Sequence, residues 1–367
     1  MLCLFTYVMN FKSKPILSCL LCIFAASILV LFLVVLSGNA TSLKNGFKRK
    51  FFNSVIQPLH YTQKEKTVRA ICGIQYNHIY FETGIAGVIV ETDSTLLHTR
   101  ILKFDLPDIE TVQTLFTTFV DSSNCYIMAG NVPEVIQINL HSKSLTAFHL
   151  PNHLFSESVF TGRSEYVIRT YEKVSNKWEQ IFIKVNPVKN TVTKEDNISE
   201  KRGDAGFSTD GHLAFDESAR CIAYTEYYRN HFISMDTSLH LLYSANTIDT
   251  FKNTTVTVAW DKTNQFEDVT NGSPLHEINL ESKALAGNLY IHSAVKSDDE
   301  TSKAFAHHAV IDVYRITNGR YRGSFYIPEF KEERMKEFEV ATNKIVVLYD
   351  NYVVIYSNPF SFNDGSI

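Results

Sequence analysis

The stretch GHLAFDESARCIAYTEYYRNHFISMD, residues 211–236, determines the fold prediction. It contains three short runs rich in apolar and β-branched residues, GHLAFDES, CIAYTEYY and HFISMD, which are separated by polar residues. Runs of this length that are bounded by Asp, Ser and Asn are typical of β-strands. A fourth run, LHLLYS, ends at Ser244. The stretch therefore predicts four consecutive strands, and it raises the question whether Tyr228-Arg229-Asn230 is only a turn or also a binding site.

The same pattern recurs along the chain. Comparable runs end near Pro107, Pro151, Thr193 and Pro328. Successive polar turns stand about 45 to 50 residues apart, close to the roughly 40 to 50 residues of one propeller blade. We therefore predict an all-β, six-bladed β-propeller, with seven blades as the alternative, because the gap between Thr237 and Asn318 is long enough for an inserted loop or a degenerate blade.

The C-terminal repeat lacks an outer strand. KEFEVATNKIVVLYDNYVVIYSNP has three strand-like runs, and the sequence ends soon afterwards at Ile367. An N-terminal strand from FNSVIQPLHY, or from the run just after it, is expected to complete this blade, since closing the ring removes exposed strand edges. The predicted organisation is a tail over residues 1–15, a transmembrane helix over 16–36, a linker over 37–60 and a propeller over 61–367.

The composition is that of a globular β-protein. Of the 367 residues 45% are hydrophobic, and Phe and Tyr, 26 and 18 residues, outnumber the 15 Gly, which favours strands. The formal charge is −4, and no dense basic stripe follows the N-terminal region. We expect no nucleic-acid partner.

The N-terminal segment ILSCLLCIFAASILVLFLVVL, residues 16–36, carries no charge. Its length matches the roughly 20 residues that cross a bilayer as a helix, whereas the apolar core of a cleaved signal peptide, the competing interpretation, has about 7 to 15. Basic residues are more numerous after the segment than before it, which argues for a cytoplasmic propeller, but long domains that follow a first segment are exported largely regardless of charge. We predict a single-pass inner-membrane protein with a periplasmic propeller.

A family resemblance rests on the anchor, the repeats and, above all, residues 211–236. These features resemble membrane-anchored six-bladed propeller proteins of the TolB-like or NHL-like kind from Bacteroidetes-type bacteria, over roughly residues 61–360. The resemblance implies a scaffold or binding module with an envelope protein or a small molecule as its partner. Fold similarity alone does not assign a function.

The loops between the second and third strands of each blade share one face of a propeller with the loops between blades. The predicted binding residues on this face are Tyr228, Arg229, Asn230, Trp178, Asp350 and Asn351. Arg229 offers a planar donor fork for a carboxylate or phosphate, beside tyrosines with polar tips. The competing interpretation pairs Arg229 with an acid of a neighbouring blade.

Catalytic and cofactor motifs are absent from the sequence, so we expect no cofactor and a non-enzymatic binding function. His307 and His308 are minor candidates for metal ligands, because adjacent residues of a strand point to opposite sides. The alternative is a propeller hydrolase or lyase that uses acids and histidines of the central channel, such as His212, His307 or His308, with or without a divalent metal.

Overall fold

A computed structural model describes most of the chain. The described residues are 18–32, 44–52, 56–106, 116–121, 123–132, 134–150, 154–175, 177–195, 197–252, 258–263, 266–271 and 276–360, and within 258–271 only the backbone is described. The chain divides into two compact units, Met1–Asn45 and Gly46–Ile367.

In the first unit, residues 18–32 are helical and exposed. Among the described residues, no helix has both the length and the apolar character needed to cross a membrane. The predicted transmembrane segment also includes residues 16–17 and 33–36, which lie outside the described residues, as do the tail at 1–15 and residues 37–43 of the linker.

The second unit is built from antiparallel strands. In chain order they are β1 (Pro58–Gln63), β2 (Val68–Gln75), β3 (His78–Thr83), β4 (Val88–Asp93), β5 (Thr99–Lys103), β6 (Thr117–Asp121), β7 (Asn124–Ala129), β8 (Glu134–Asn139), β9 (Leu145–His149), β10 (Phe155–Gly162), β11 (Glu165–Val174), β12 (Lys177–Asn186), β13 (Thr191–Glu195), β14 (Gly211–Asp216), β15 (Cys221–Glu226), β16 (Phe232–Asp236), β17 (Leu241–Ala245), β18 (Val258–Thr263), β19 (Phe266–Asn271), β20 (Asn279–Leu285), β21 (Asn288–Ser293), β22 (His308–Arg315), β23 (Tyr321–Pro328), β24 (Glu337–Val340), β25 (Lys344–Leu348) and β26 (Tyr352–Ser357). A short helix, Ser302–Ala306, precedes β22.

The described strands form six four-stranded sheets, so the predicted six-bladed propeller is confirmed. Blades 1 to 4 are β2–β5, β6–β9, β10–β13 and β14–β17, blade 5 is β20–β23, and blade 6 is β24–β26 with β1. The long gap between blades 4 and 5 contains the two-stranded hairpin β18–β19, which is an insertion and not a seventh blade among the described residues. The first strand of each blade lies closest to the axis, where inner strands of neighbouring blades contact one another.

The ring closes as expected from the incomplete C-terminal repeat. β1 pairs with β26 in antiparallel register, with Tyr61 opposite Val354 and Gln63 opposite Tyr352. The N-terminal strand thus supplies the outer strand of the last blade.

The core consists of apolar layers between neighbouring blades. Each of six buried clusters combines residues of two adjacent blades; one, for example, joins Phe182 of blade 3 to Ile222 and Met235 of blade 4. Strand β15 is buried throughout because both of its faces pack on other blades, whereas the outer strand β17 is mostly exposed. This sandwiching explains why the middle strands are continuous apolar runs.

Residues 46–52, which fall within the predicted linker, pack on blade 5. The Arg49 guanidinium is buried and uses all five of its N–H donors. Its Nε and Nη2 donate to the two carboxylate oxygens of Asp312 at 2.8 and 3.0 Å, and its Nη1 donates to Glu300 at 2.5 Å. The other acceptors are the Val295 carbonyl and the Ser293 hydroxyl, both at 2.8 Å. Arg49 therefore ties the start of the second unit to blade 5.

Replacing Arg49 by Met should lower the free energy of unfolding by about 3 to 5 kcal/mol, because the substitution leaves two buried carboxylates without their counter-charge. Urea unfolding measures this change. Lys48→Met is the matched control, since Lys48 is exposed and precedes Arg49 directly. A loss for Arg49→Met no larger than that of the control would contradict the anchoring role.

Candidate functional site

The predicted loop residues Arg229 and Asn230 lie in the turn between β15 and β16, and both are buried. Arg229 Nη2 lies 2.8 Å from Glu226 Oε1 and 2.6 Å from Glu200 Oε2, and its Nε also donates to Glu226. Glu226 belongs to the same blade, and Glu200 lies in the segment between blades 3 and 4. The guanidinium is thus engaged in internal ion pairs.

Asn230 fastens the turn to the segment that follows β17. Its Nδ2 donates to the Asp249 carbonyl at 2.6 Å, and its backbone N–H donates to the Phe251 carbonyl at 2.7 Å. Tyr228 is half-buried beside Tyr227, with ring centroids 5.7 Å apart. The turn that contains these residues has a structural role, and the binding role predicted for them stays a prediction.

The other predicted binding residues lie on two further blades, 3 and 6. Trp178 is on β12, with Lys173 Nζ 5.2 Å from its ring centroid. In the loop of blade 6, Asp350 pairs with Lys336 at 3.0 Å, and Asn351 Nδ2 donates to Glu333 at 2.7 Å.

The two adjacent histidines of blade 5 point to different partners. His307 Nδ1 lies 2.7 Å from Glu329 Oε2, and His308 Nδ1 lies 2.7 Å from the Ala304 carbonyl oxygen. Within the described part of the chain, no group of three or more His, Cys, Asp or Glu side chains is arranged to hold a metal ion.

A cavity of about 1400 Å³ lies at the centre of the ring. Residues from the inner strands of all six blades line it, whereas none of the predicted loop residues, His307 or His308 does. Of the residues considered at the sequence level, His212 on β14 lines the cavity, as the enzyme alternative expected. The cavity is therefore the concave site at which functional side chains of different blades meet.

Lys283 on β20 forms the first charged cluster of the cavity. Its Nζ lies 3.1 Å from Glu281, 3.2 Å from Glu339 and 3.9 Å from Glu337. Burial lowers the pKa of Lys283, but the three carboxylates outweigh burial and hold that pKa well above its usual range. Glu337 also accepts a hydrogen bond of 3.0 Å from the backbone N–H of Ile71, so the cluster joins blades 5, 6 and 1.

A second cluster lies on blades 3 and 4, next to strand β20 of blade 5. His212 Nε2 is 2.9 Å from the Leu280 carbonyl oxygen, an acceptor only, so Nε2 carries the proton and Nδ1 accepts from the Tyr227 hydroxyl at 3.2 Å. Burial lowers the pKa of His212 to about 4. Glu157 Oε1 lies 3.8 Å from His212 Nδ1.

Burial and the charge of Asp210 raise the pKa of Glu157 to about 8, against weaker opposing effects of the Leu213 backbone N–H, Arg169 and Lys283. Asp210 itself pairs with the buried Arg169, with Nη1 and Oδ1 2.5 Å apart. A carboxyl group with a pKa near neutrality beside a neutral imidazole can bind a cation or exchange a proton with a ligand.

Sequence reasoning missed Glu157, Lys283 and Glu337. The sequence did contain one signal for this site, the charged residues Glu281 and Lys283 within a predicted innermost strand. Side chains of an innermost strand face either neighbouring inner strands or the central cavity. Alternation of charged and uncharged residues looks the same in a solvent-exposed strand, so the pattern alone did not identify the site.

No protein-family model matches the chain, and no curated protein matches it in sequence. Among solved structures, a member of the DUF4221 family from Bacteroides vulgatus is 12% identical, covers 86% of this chain and 98% of its own, and has a TM-score of 0.49. The WD40 domain of Neurospora crassa Pan2 is 11% identical, with coverages of 85% and 98% and a TM-score of 0.45. A streptogramin B lyase is 9% identical, with coverages of 85% and 98% and a TM-score of 0.42. These similarities are too distant to bear on function. The number of blades is established by the strand pairing within this chain.

The pKa of Glu157 predicts a pH-dependent stability. A carboxyl whose pKa is raised from 4.5 to about 8 on folding favours the folded state most at low pH, and that contribution is lost as the pH rises to about 8. Glu157→Gln removes this titration. The free energy of unfolding of the variant, relative to the unsubstituted protein, should therefore rise by about 1 to 4 kcal/mol between pH 5 and pH 9, since one pKa unit corresponds to about 1.4 kcal/mol.

Urea unfolding at several pH values measures this difference, with the exposed Glu332→Gln as the matched control. A difference between Glu157→Gln and the unsubstituted protein that stays constant across the pH range would show that Glu157 is not perturbed in this way.

Proposed function

We propose that this chain is a propeller binding module and that its ligand is a small molecule held in the central cavity. The observation that supports this proposal is the cavity itself, whose volume of about 1400 Å³ exceeds the roughly 300 to 1,000 Å³ of common ligand pockets. Its walls combine apolar side chains with a few charged groups held by several blades, as in other small-molecule sites.

An enzyme remains the second candidate. It is supported by the carboxyl of Glu157 next to the neutral ring of His212 and the hydroxyl of Tyr227, three groups suited to proton transfer. Saturable hydrolysis of an ester such as 1-naphthyl acetate that is lost in Glu157→Gln would favour this candidate. Without turnover of this ester, the binding function is favoured over the enzyme candidate.

We propose, from the sequence, that residues 16–36 also anchor the chain in the cytoplasmic membrane with the propeller on its outer side. Apolar side chains of the described helix, such as Leu21, Phe24 and Leu31, are more than half exposed, which supports an apolar environment for this segment. An envelope protein as an additional partner of the propeller is part of the same proposal.

Occupation of the cavity is tested with three probes that share one aromatic body: (1-naphthylmethyl)trimethylammonium, 1-naphthalenemethanol and 1-naphthaleneacetate. Thr117 is exposed and lines the cavity, so Thr117→Trp should narrow the cavity without crowding the core. In fluorescence titrations at least one probe should bind saturably, and Thr117→Trp should weaken that binding about tenfold or more, a change of about 1.4 kcal/mol.

Thr193→Trp is the control, because Thr193 is exposed on the outer strand β13. Its affinity for the probe should equal that of the unsubstituted protein, and thermal unfolding should show that both variants are folded. If none of the three probes binds, or if Thr117→Trp binds as tightly as Thr193→Trp, the cavity is not the binding site.

The topology is tested by cysteine labelling. Cys72, Cys125 and Cys221 are buried, so Thr193→Cys, with Cys3, Cys19 and Cys22 replaced by Ala, provides one accessible thiol on the propeller. A maleimide that does not cross the cytoplasmic membrane should label this thiol in intact cells. Labelling that requires lysis would instead place the propeller in the cytoplasm.

A further inference from the structure

The described residues that line the cavity carry an excess of negative charge. Seven of them are Asp or Glu, and three are Lys or Arg. One of the three cations, Lys336, is exposed and pairs with Asp350 at 3.0 Å. Carboxyl groups thus outnumber cationic groups among the described residues that line the cavity.

Lys283 does not make the cavity an anion site. Its ammonium group already contacts the carboxylates of Glu281 and Glu339 within 3.2 Å, with Glu337 at 3.9 Å. One positive charge among three carboxyl groups leaves the cluster negative when all three are ionised. An incoming anion would meet these carboxylates as well as the ammonium group, which disfavours its binding.

The raised pKa values of two cavity carboxyl groups, Glu157 and Glu337, are consistent with a site that lacks a cation to balance their charge. Burial, together with the charge of Glu281, raises the pKa of Glu337 to about 8, although Lys283 and the backbone N–H of Ile71 act in the opposite direction. On blade 3 Glu157, which faces His212, Asp210, Arg169 and Lys283, has its pKa raised to a similar value. In a site of low polarity, such carboxyl groups hold a proton until another cation replaces it.

An unpartnered polar group supplies an independent indication of a ligand. Ser282 on β20 lines the cavity and is only 4% exposed, and its hydroxyl oxygen has no hydrogen-bond partner. A buried hydroxyl without a partner costs about 1 to 3 kcal/mol. A ligand with a hydrogen-bonding group would remove that cost.

Aromatic side chains line the walls that blades 2 to 4 contribute to the cavity. Phe119 on β6, Phe155 and Phe160 on β10, and Phe215 on β14 lie on blades 2 to 4, whereas Glu281, Glu337 and Glu339 lie on blades 5 and 6. Aromatic faces attract cations and accommodate apolar groups. A ligand that extends across the cavity would place one end at the carboxylates and the other against the phenylalanines.

We infer that the cavity binds an organic cation, an amine or quaternary ammonium compound with an aromatic body. Its positive charge lies at the carboxylates of Glu157, Glu281, Glu337 and Glu339, and its body packs against the phenylalanines of blades 2 to 4. This inference rests on the proposed binding function and assigns the class of ligand.

The three naphthalene probes test the inference through their charge. At about pH 8.5 carboxyl groups with a pKa of about 8 are mostly ionised. There (1-naphthylmethyl)trimethylammonium should bind about tenfold or more tightly than 1-naphthalenemethanol, and 1-naphthaleneacetate should bind most weakly.

Variants that remove one carboxylate locate the effect. Glu157→Gln and Glu339→Gln should each weaken binding of the ammonium probe about threefold to tenfold and leave binding of the neutral alcohol unchanged within about twofold. Glu332→Gln is the matched control, because this exposed carboxylate lies outside the cavity. Its affinity for the ammonium probe should equal that of the unsubstituted protein.

The outcomes separate the inference from the proposed function. If the alcohol or the acetate binds as tightly as the ammonium compound, and Thr117→Trp weakens that binding, the cation inference is overturned while the cavity remains a binding site. An ammonium affinity that is insensitive to both Glu157→Gln and Glu339→Gln also overturns the inference. If no probe binds, the proposed function fails together with the inference.

Discussion

The structure depends on one strand pairing, between β1 near the start of the second unit and β26 near the end of the described chain. Without β1, blade 6 would expose the polar backbone edge of β26, which invites pairing with other chains. With it, the last blade has the same four strands as the others, and the first and last blades of the ring pack together through a cluster that includes Ile79 of blade 1 and Val346 of blade 6. The contact is long-range in sequence, so its loop-closure entropy must be offset by the apolar layers between all six blades.

The same closure assembles the central site. Glu337 and Glu339 belong to the inner strand of the closing blade, and Lys283 belongs to blade 5. The backbone N–H group that donates a hydrogen bond to Glu337 belongs to Ile71 of blade 1. These groups meet only when the ring is complete. The excess of carboxyl groups in the cavity is therefore maintained by the packing energy of the whole propeller, since buried carboxyl groups that lack a counter-charge cost free energy.

The fold was largely predictable from the sequence, because its signals are local and repeated. The runs in residues 211–236 coincide with β14, β15 and β16, and the missing outer strand of the last repeat correctly predicted that an N-terminal strand would close the ring. The partners of individual charged side chains were not predictable. Arg229 has the chemistry of a ligand-binding residue, but Glu226, three residues earlier, pairs with it. Arg49 falls in an apparent linker and finds Asp312 263 positions later, a contact that only the folded ring defines.

The central claim is that a cationic ligand occupies the axis of the ring, and photoaffinity labelling tests it most directly. A diazirine derivative of (1-naphthylmethyl)trimethylammonium is activated by light on the folded protein, and the labelled peptides are identified by mass spectrometry. The account predicts labels on the inner strands β10, β14 and β20, which an excess of the unmodified ammonium compound suppresses. Labels confined to outer strands or surface loops, or labels that the excess does not suppress, would contradict it.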